Sequence, residues 1–177
     1  MIEIQEILFD EQAIQAKVSE LAARISADYA GKDLVLVGIL KGAVVFLADL
    51  MRRITFPVTI DFVCASSYGM STTSAKEILI KKDIETDVRG RHVLLVDTII
   101  DTGETLDCLF KRFTEREPAS LEAVVLLDKK PRRTVLAPVK YRGFEIPDKF
   151  VVGYGVDCAE QYRNLPYVAA IIIRADG

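Results

Sequence analysis

The residues with the richest chemistry lie within 93–106, read as VLLVDTIIDTGETL. Two carboxylates, Asp97 and Asp101, are interleaved with the hydroxyls of Thr98, Thr102 and Thr105 around Gly103 and Glu104. An apolar, β-branched run (Val93, Leu94, Leu95, Val96) precedes them, and Leu106, Leu109, Phe110 and Phe113 follow at helical spacing. A buried strand, a short polar loop and a helix set free backbone N–H groups and a positive dipole end at the edge of a sheet. A phosphate fits there. Asp101 beside such a site repels the anion unless a metal or a cationic reactant lies between them. That combination points to catalysis next to a phosphate. The plainer reading is a strand-to-helix turn in which Thr102 caps the helix.

These residues need a sheet to hold them, and 177 residues, half of them hydrophobic, suit one domain with one sizeable core. No Pro/Gly/Ser-rich linker, repeat or low-complexity segment interrupts the chain. A formal net charge of −3 gives no support to a nucleic-acid-binding face. No apolar stretch approaches a membrane span, the acidic start is unlike a signal peptide, and no membrane partner is expected. Cys64, Cys108 and Cys158 are odd in number and lack metal-ligand spacing, which reads as reduced thiols in a cytoplasmic protein.

Asp10 is placed to cap a helix carrying Ile14, Val18, Leu21, Ile25 and Tyr29, with Gly31 ending it. Leu34–Leu40 reads as a buried strand and Val44–Met51 as a helix packed on the sheet, with Lys41 and Gly42 in the loop between. Residues 58–65 alternate as a strand, and Ile78 and Ile80 resume strand character. The hydroxyl-rich segment 66–76 between them reads as a hairpin tip. Residues 121–127 form another apolar run, ending in a charged cluster at 128–133 that suits either a solvated loop or a ligand site. Residues 150–157 and Val168–Ile173 are extended. Alternating strands and helices predict an α/β fold, a parallel twisted sheet flanked by helices, with a small hood lobe from the chain ends that includes the late extended segments. His92, the one histidine, has no charge partner near it in sequence and is not expected to be catalytic.

Residues 93–106 resemble the phosphoribosyl-pyrophosphate signature of the type I purine phosphoribosyltransferases, hypoxanthine/guanine branch. The likeness covers nearly the whole chain. It implies Asp101 as the base that takes the purine's imidazole proton. Asp97, Thr98, Thr102, Gly103, Glu104 and Thr105 would bind the phosphoribosyl group. It further implies Leu40, Lys41, Gly42 and Arg163 for pyrophosphate, and Ser67 with Tyr68 as the start of a lid. Lys129, Phe150, Val151 and Asp157 would bind the purine, with Asp97 and Asp157 near Mg²⁺. The implied partners are phosphoribosyl pyrophosphate and 6-oxo purines, in a homodimer or homotetramer. Taken singly, Phe150 also suits a core, Lys129 and Arg163 a solvated surface, and Asp157 a turn.

One position departs from the pattern. The family carries a second carboxylate where this chain has Thr98, a hydroxyl without charge. The expected consequence is weaker metal binding on that side, with a carboxylate placed at 98 tightening it. Three other classes fit the sequence less well. A dinucleotide oxidoreductase lacks its G-x-G-x-x-G, and a P-loop nucleotidase its G-x-x-x-x-G-K-[ST]. A regulatory nucleotide-binding protein on the same fold needs a basic face or an added domain, which the sequence does not offer.

Overall fold

A computed structural model describes residues 2–68 and 77–174. The central strand, His92–Ile100, has no purely polar face because it is covered on both sides, and the rest is layered around it. In chain order the elements are β1 (Ile2–Phe9), α1 (Glu11–Asp28), β2 (Leu34–Leu40), α2 (Val44–Met51), β3 (Thr59–Tyr68), β4 (Glu77–Lys82) and β5 (His92–Ile100). Then come α3 (Glu104–Thr114), β6 (Ser120–Asp128), a 3₁₀ turn at Lys130–Arg132, β7 (Tyr141–Glu145), β8 (Phe150–Val152) and β9 (Val168–Ile173).

Six strands form the main sheet in the order β4-β3-β2-β5-β6-β7, and β1, β9 and β8 form a second, three-stranded sheet. Pairing is parallel from β3 through β7, with β4 antiparallel to β3 at the edge. Strand alternation divides the core in two. Leu34, Leu36, Leu94, Val96, Val124 and Leu126 pack with α1 and α2 on one face. Val35, Val37, Val93, Leu95, Ala123 and Val125 pack with Leu106, Leu109 and Phe113 of α3 on the other. Both faces being buried explains why β2, β5 and β6 read as continuous apolar runs. Gly38 lets α2 sit close, since a Cβ there would lie 2.8 Å from Leu47 Cδ2.

Asp10 caps α1 as expected, accepting from Ala13 N at 2.8 Å. Gly31 is not itself the C-cap. Tyr29 is, and Gly31 makes the left-handed turn (φ +72°) two residues on. The acidic start is a strand: β1 runs antiparallel to β9, so the small sheet does join the two ends of the chain. β7 escaped the sequence reading because only Tyr141 of its five residues is fully buried. β3 continues through Tyr68, paired to Glu77, so 66–68 are strand backbone where a loop was expected. The remainder of that loop, 69–76, lies outside the described residues. Among the described residues no helix is long and apolar enough to cross a membrane.

Asp61, almost buried in β3, pins the link from β4 to β5. Its carboxylate accepts from the amides of Phe62 (2.7 Å), Glu85 (2.9 Å) and Thr86 (2.8 Å). Burial pushes this carboxyl up, but those amides and the Thr86 hydroxyl outweigh it and hold it at about 2. The resulting stability is fully present above the ordinary carboxylate range and is lost as pH falls through about 2. Asp61→Asn should cost about 2 kcal/mol at neutral pH. It should also flatten the acid limb of the melting-temperature profile, and thermal melts across acidic pH check both.

Candidate active site

Parallel pairing lines up the carboxyl ends of β2, β5 and β6. Gly38 pairs with Val96, Asp97 with Val125 and Ile100 with Asp128. Lys41, Asp101 and Lys129 are each the first residue beyond their strand, so three ionic groups from distant sequence positions emerge along one edge. Strand order reverses direction between β2 and β5, where open α/β sheets hold ligands.

The loop from Asp101 to Thr105 meets α3 differently from the simple capping arrangement. The N-cap is Gly103, in a left-handed conformation (φ +92°), with no side-chain cap. Thr102 Oγ1 accepts from Glu104 N only at 3.4 Å, a marginal hydrogen bond. A Cβ on Gly103 would lie 2.6 Å from Val135 O. Thr134 N and Val135 N both donate to Thr102 O, at 3.0 and 3.1 Å, and hold the loop from outside. The first intrahelical bond runs from Asp107 N to Gly103 O, and amides ahead of it in a helix lack intrahelical acceptors. The first turn therefore presents N–H donors at the positive end of the helix dipole.

On the β6 side, Lys129 is 4 % exposed, so the solvated-surface reading does not hold for it. Its Nζ lies 3.9 Å from Asp101 Oδ2. Asp101 Oδ1 is buried and accepts no hydrogen bond, with Arg132 Nε at 3.6 Å. A shielded carboxylate oxygen with spare acceptor capacity is what a proton-accepting group needs. Arg133 braces the pair, donating from Nε to Asp101 O (3.1 Å) and from Nη2 to the buried Asp128 (2.5 Å). Phe150, at the start of β8, is 61 % exposed and so is not a core residue, whereas Val151 beside it is buried.

On the β2 side the Leu40–Lys41 peptide is cis. Lys41 Nζ pairs with Glu160 Oε2 at 2.9 Å. Arg163 Nη2 reaches Asp157 Oδ1 at 2.9 Å and Glu160 at 3.3 Å, and its Nη1 donates to Gly155 O at 2.8 Å. Asp157 Oδ2 accepts from Glu160 N at 2.9 Å. Glu160 is the residue that sequence reading missed. Its spacing of three from Arg163 was a weak signal, and nothing local announces its pairing with Lys41.

Thr98 requires a correction. It is fully buried, and its hydroxyl donates to Gly42 O at 2.9 Å, so it does not face an open ribose or metal position. A carboxylate placed there would meet that carbonyl, which removes the expected tightening of Mg²⁺. Asp97 is bounded by its own chain, accepting from Thr98 N at 2.8 Å. Loss of water pushes its carboxyl up to about 7, against the opposing pull of the Thr98 and Ile99 amides. Among the described residues no group of three or more His, Cys, Asp or Glu is arranged to hold a metal. A hard cation at this edge would therefore be held chiefly through phosphate and water ligands, not caged by protein.

Ser67 and Tyr68 end β3. His92 lies at the opposite end of the sheet, with Nδ1 2.7 Å from Ser120 Oγ and its ring edge-on to Tyr29. A cavity of about 600 Å³ follows the outer side of α3, lined by Asp107, Cys108, Lys111 and Arg112 among others. It shares Glu104 with the phosphate-type loop, and its lining mixes the carboxylates Glu104, Asp107 and Glu115 with the cations Lys111 and Arg112.

A parallel sheet with a helix-dipole anion loop and cations along the same edge defines a phosphate-ester-handling α/β domain. The phosphoribosyl transferase domain model matches residues 5–159, and the chain belongs to that family. Its relatives lie in the hypoxanthine/guanine branch. The hypoxanthine phosphoribosyltransferase of Haemophilus influenzae is 46% identical over 171 residues, 95% of this chain and 96% of that one. The hypoxanthine-guanine phosphoribosyltransferase of Streptococcus agalactiae is 45% identical over 169 residues, 96% of this chain and 94% of that one. A crystal structure of hypoxanthine-guanine phosphoribosyltransferase from Bacillus anthracis superposes with a TM-score of 0.91 at 45% identity, covering 97% of this chain and all of that one.

Asp97 yields a test with a definite sign. A carboxyl held near 7 favours folding below the ordinary carboxylate range and costs stability as pH rises through 7. Asp97→Asn should raise the melting temperature of the free protein at about pH 8, by roughly 2 to 4 kcal/mol of stability, with little change near about pH 4. It should also weaken binding of ribose phosphates, read by calorimetry.

Proposed function

We propose that this protein performs purine salvage, transferring the 5-phosphoribosyl group of phosphoribosyl pyrophosphate to N9 of hypoxanthine, with guanine as the second candidate base. The products would be IMP or GMP and pyrophosphate. The observation that carries the reading is the buried Lys129 ammonium set beside Asp101, whose Oδ1 has no hydrogen-bond partner. One group offers a donor and the other an acceptor, spaced to meet a flat heterocycle at two points.

Each residue then has a job. The amides around Thr102, Gly103, Glu104 and Thr105 hold the 5-phosphate, which fixes C1 of the ribose in line with the attacking nitrogen. Asp97, in the last half of β5, engages the ribose. Phe150 stacks on the base and Val151 offers it backbone groups. Lys129 donates to the 6-oxo group. A 6-amino group would bring donor against donor. Asp101 accepts the imidazole proton as the C1–N9 bond forms, making the base more nucleophilic. Asp157, next to the base, orients Arg163. Lys41 and Arg163 stabilise the departing pyrophosphate together with Leu40 and Gly42 main-chain groups. Mg²⁺, held through the pyrophosphate with Asp97 and Asp157 nearby, would supply charge neutralisation of the leaving group. Ser67 and Tyr68 would begin a segment that keeps water from the cationic ribose.

One assay tests the whole: phosphoribosyl pyrophosphate and Mg²⁺ with hypoxanthine, guanine, xanthine and adenine in turn. Nucleotide should form with 6-oxo purines and not with adenine, and chelation of Mg²⁺ should stop it. Adenine used as fast as hypoxanthine would remove Lys129 from its role. Asp101→Asn should keep nucleotide affinity and lose roughly a hundredfold or more in turnover. Undiminished turnover in that variant would rule out Asp101 as the base.

A further inference from the structure

Thr98, near the end of β5, spends its hydroxyl on another loop and not on the turn that follows its own strand. Its side chain is fully buried, and its Oγ1 donates to Gly42 O at 2.9 Å across a sequence separation of 56 residues. A valine would satisfy the strand equally well, so the hydroxyl is the part of this side chain that the sheet does not require. The carbonyl it holds belongs to the loop carrying Lys41. That loop is otherwise closed by local bonds, from Ala43 N to Ile39 O (3.1 Å) and Val44 N to Lys41 O (3.3 Å). Neither of them fixes the Gly42 carbonyl.

The same carbonyl touches the hood. A Cβ built on Gly155 would lie 2.1 Å from Gly42 O and 3.6 Å from Thr98 Oγ1, so the backbone of 155 closes over both. Gly155 is in turn joined to Arg163 twice, by its N to Arg163 O (2.9 Å) and by Arg163 Nη1 to its O (2.8 Å). Thr98, Gly42, Gly155 and Arg163 therefore form one contiguous chain of contacts. It runs from the end of β5, through the Lys41 loop, to the arginine on the far side.

We propose that Thr98 is a positioning residue for the pyrophosphate subsite: by holding the Gly42 carbonyl it sets the Lys41 loop in register with Arg163. The inference rests on the proposed assignment of Lys41 and Arg163 to pyrophosphate. Thr98 touches no substrate and acts through Gly42. The physical reason is that a buried carbonyl takes the orientation in which its acceptor is satisfied, and the peptide planes beside it follow.

The test uses the full chain and two ligands, magnesium pyrophosphate and IMP, titrated by calorimetry, with steady-state kinetics alongside. Thr98→Val should weaken pyrophosphate binding and raise KM for phosphoribosyl pyrophosphate by about five- to tenfold, the worth of one buried hydrogen bond. IMP affinity and kcat should stay within about twofold. Thr98→Ser keeps the hydroxyl and should restore pyrophosphate binding. Unchanged pyrophosphate affinity in Thr98→Val would overturn the proposal. So would an equal loss of both ligands with a lowered melting temperature, because that pattern belongs to a purely structural threonine. If the unaltered protein binds both ligands but makes no nucleotide from base and phosphoribosyl pyrophosphate, the activity fails while the binding arms still decide Thr98. No pyrophosphate binding by the unaltered protein overturns both.

Discussion

The parallel pairing of β5 with β2 and β6 is the constraint from which the site follows. A strand buried on both faces by two sets of apolar side chains has one permitted register, since a shift of one residue would exchange the contents of the two cores. That register places the ends of the three strands side by side. The polar residues just beyond them are carried into one row without having to find each other. The core thus determines the geometry of the chemistry, although no core residue takes part in it.

Charges along that row are not left bare. Lys129 stands by Asp101, Lys41 by Glu160, and Arg163 by Asp157 and Glu160. These pairs differ in physical weight. Lys41 and Glu160 are both well exposed, so water competes for each and their net attraction is small. Lys129 is withdrawn from water, and a buried ammonium needs a nearby anion or an acceptor to be tolerable. Asp128, still deeper, is matched by Arg133 at 2.5 Å and Arg142 at 3.2 Å and serves to tie the 128–135 segment down. The exposed pairs are therefore the ones that exchange partners at small cost, and the buried ones fix positions.

The hood is built on close backbone contacts as well as on the side chains of Val151, Tyr154 and Val168 that join the core. Gly153 and Gly155 lie so close to Tyr167 O and Gly42 O that a Cβ would collide at 1.9 and 2.1 Å. Between and beyond them Tyr154, Ala159, Glu160 and Tyr162 all have positive φ, a conformation that costs such residues energy. Tight backbone contact and a run of left-handed residues in one short segment give the connection between β8 and β9 a shape that few sequences support. It delivers Asp157, Glu160 and Arg163 to a place that neither strand reaches.

Much of this was legible beforehand. Continuous apolar runs identified β2, β5 and β6 because burial on two faces leaves no polar alternation to blur the signal. The loop after β5 could be recognised because its chemistry is contiguous in the chain, from Asp97 to Thr105. β1 and β7 were not legible: each is a short or mostly exposed strand whose pairing partner is distant in sequence, and periodicity carries no information about partners. The same holds for side-chain direction. Thr98 reads as one more hydroxyl of a phosphate loop, and Glu160 as a surface carboxylate. Only the folded chain brings Gly42 to the one and Lys41 to the other, because contacts across 56 and 119 residues are decided by sheet order and hood packing, not by spacing.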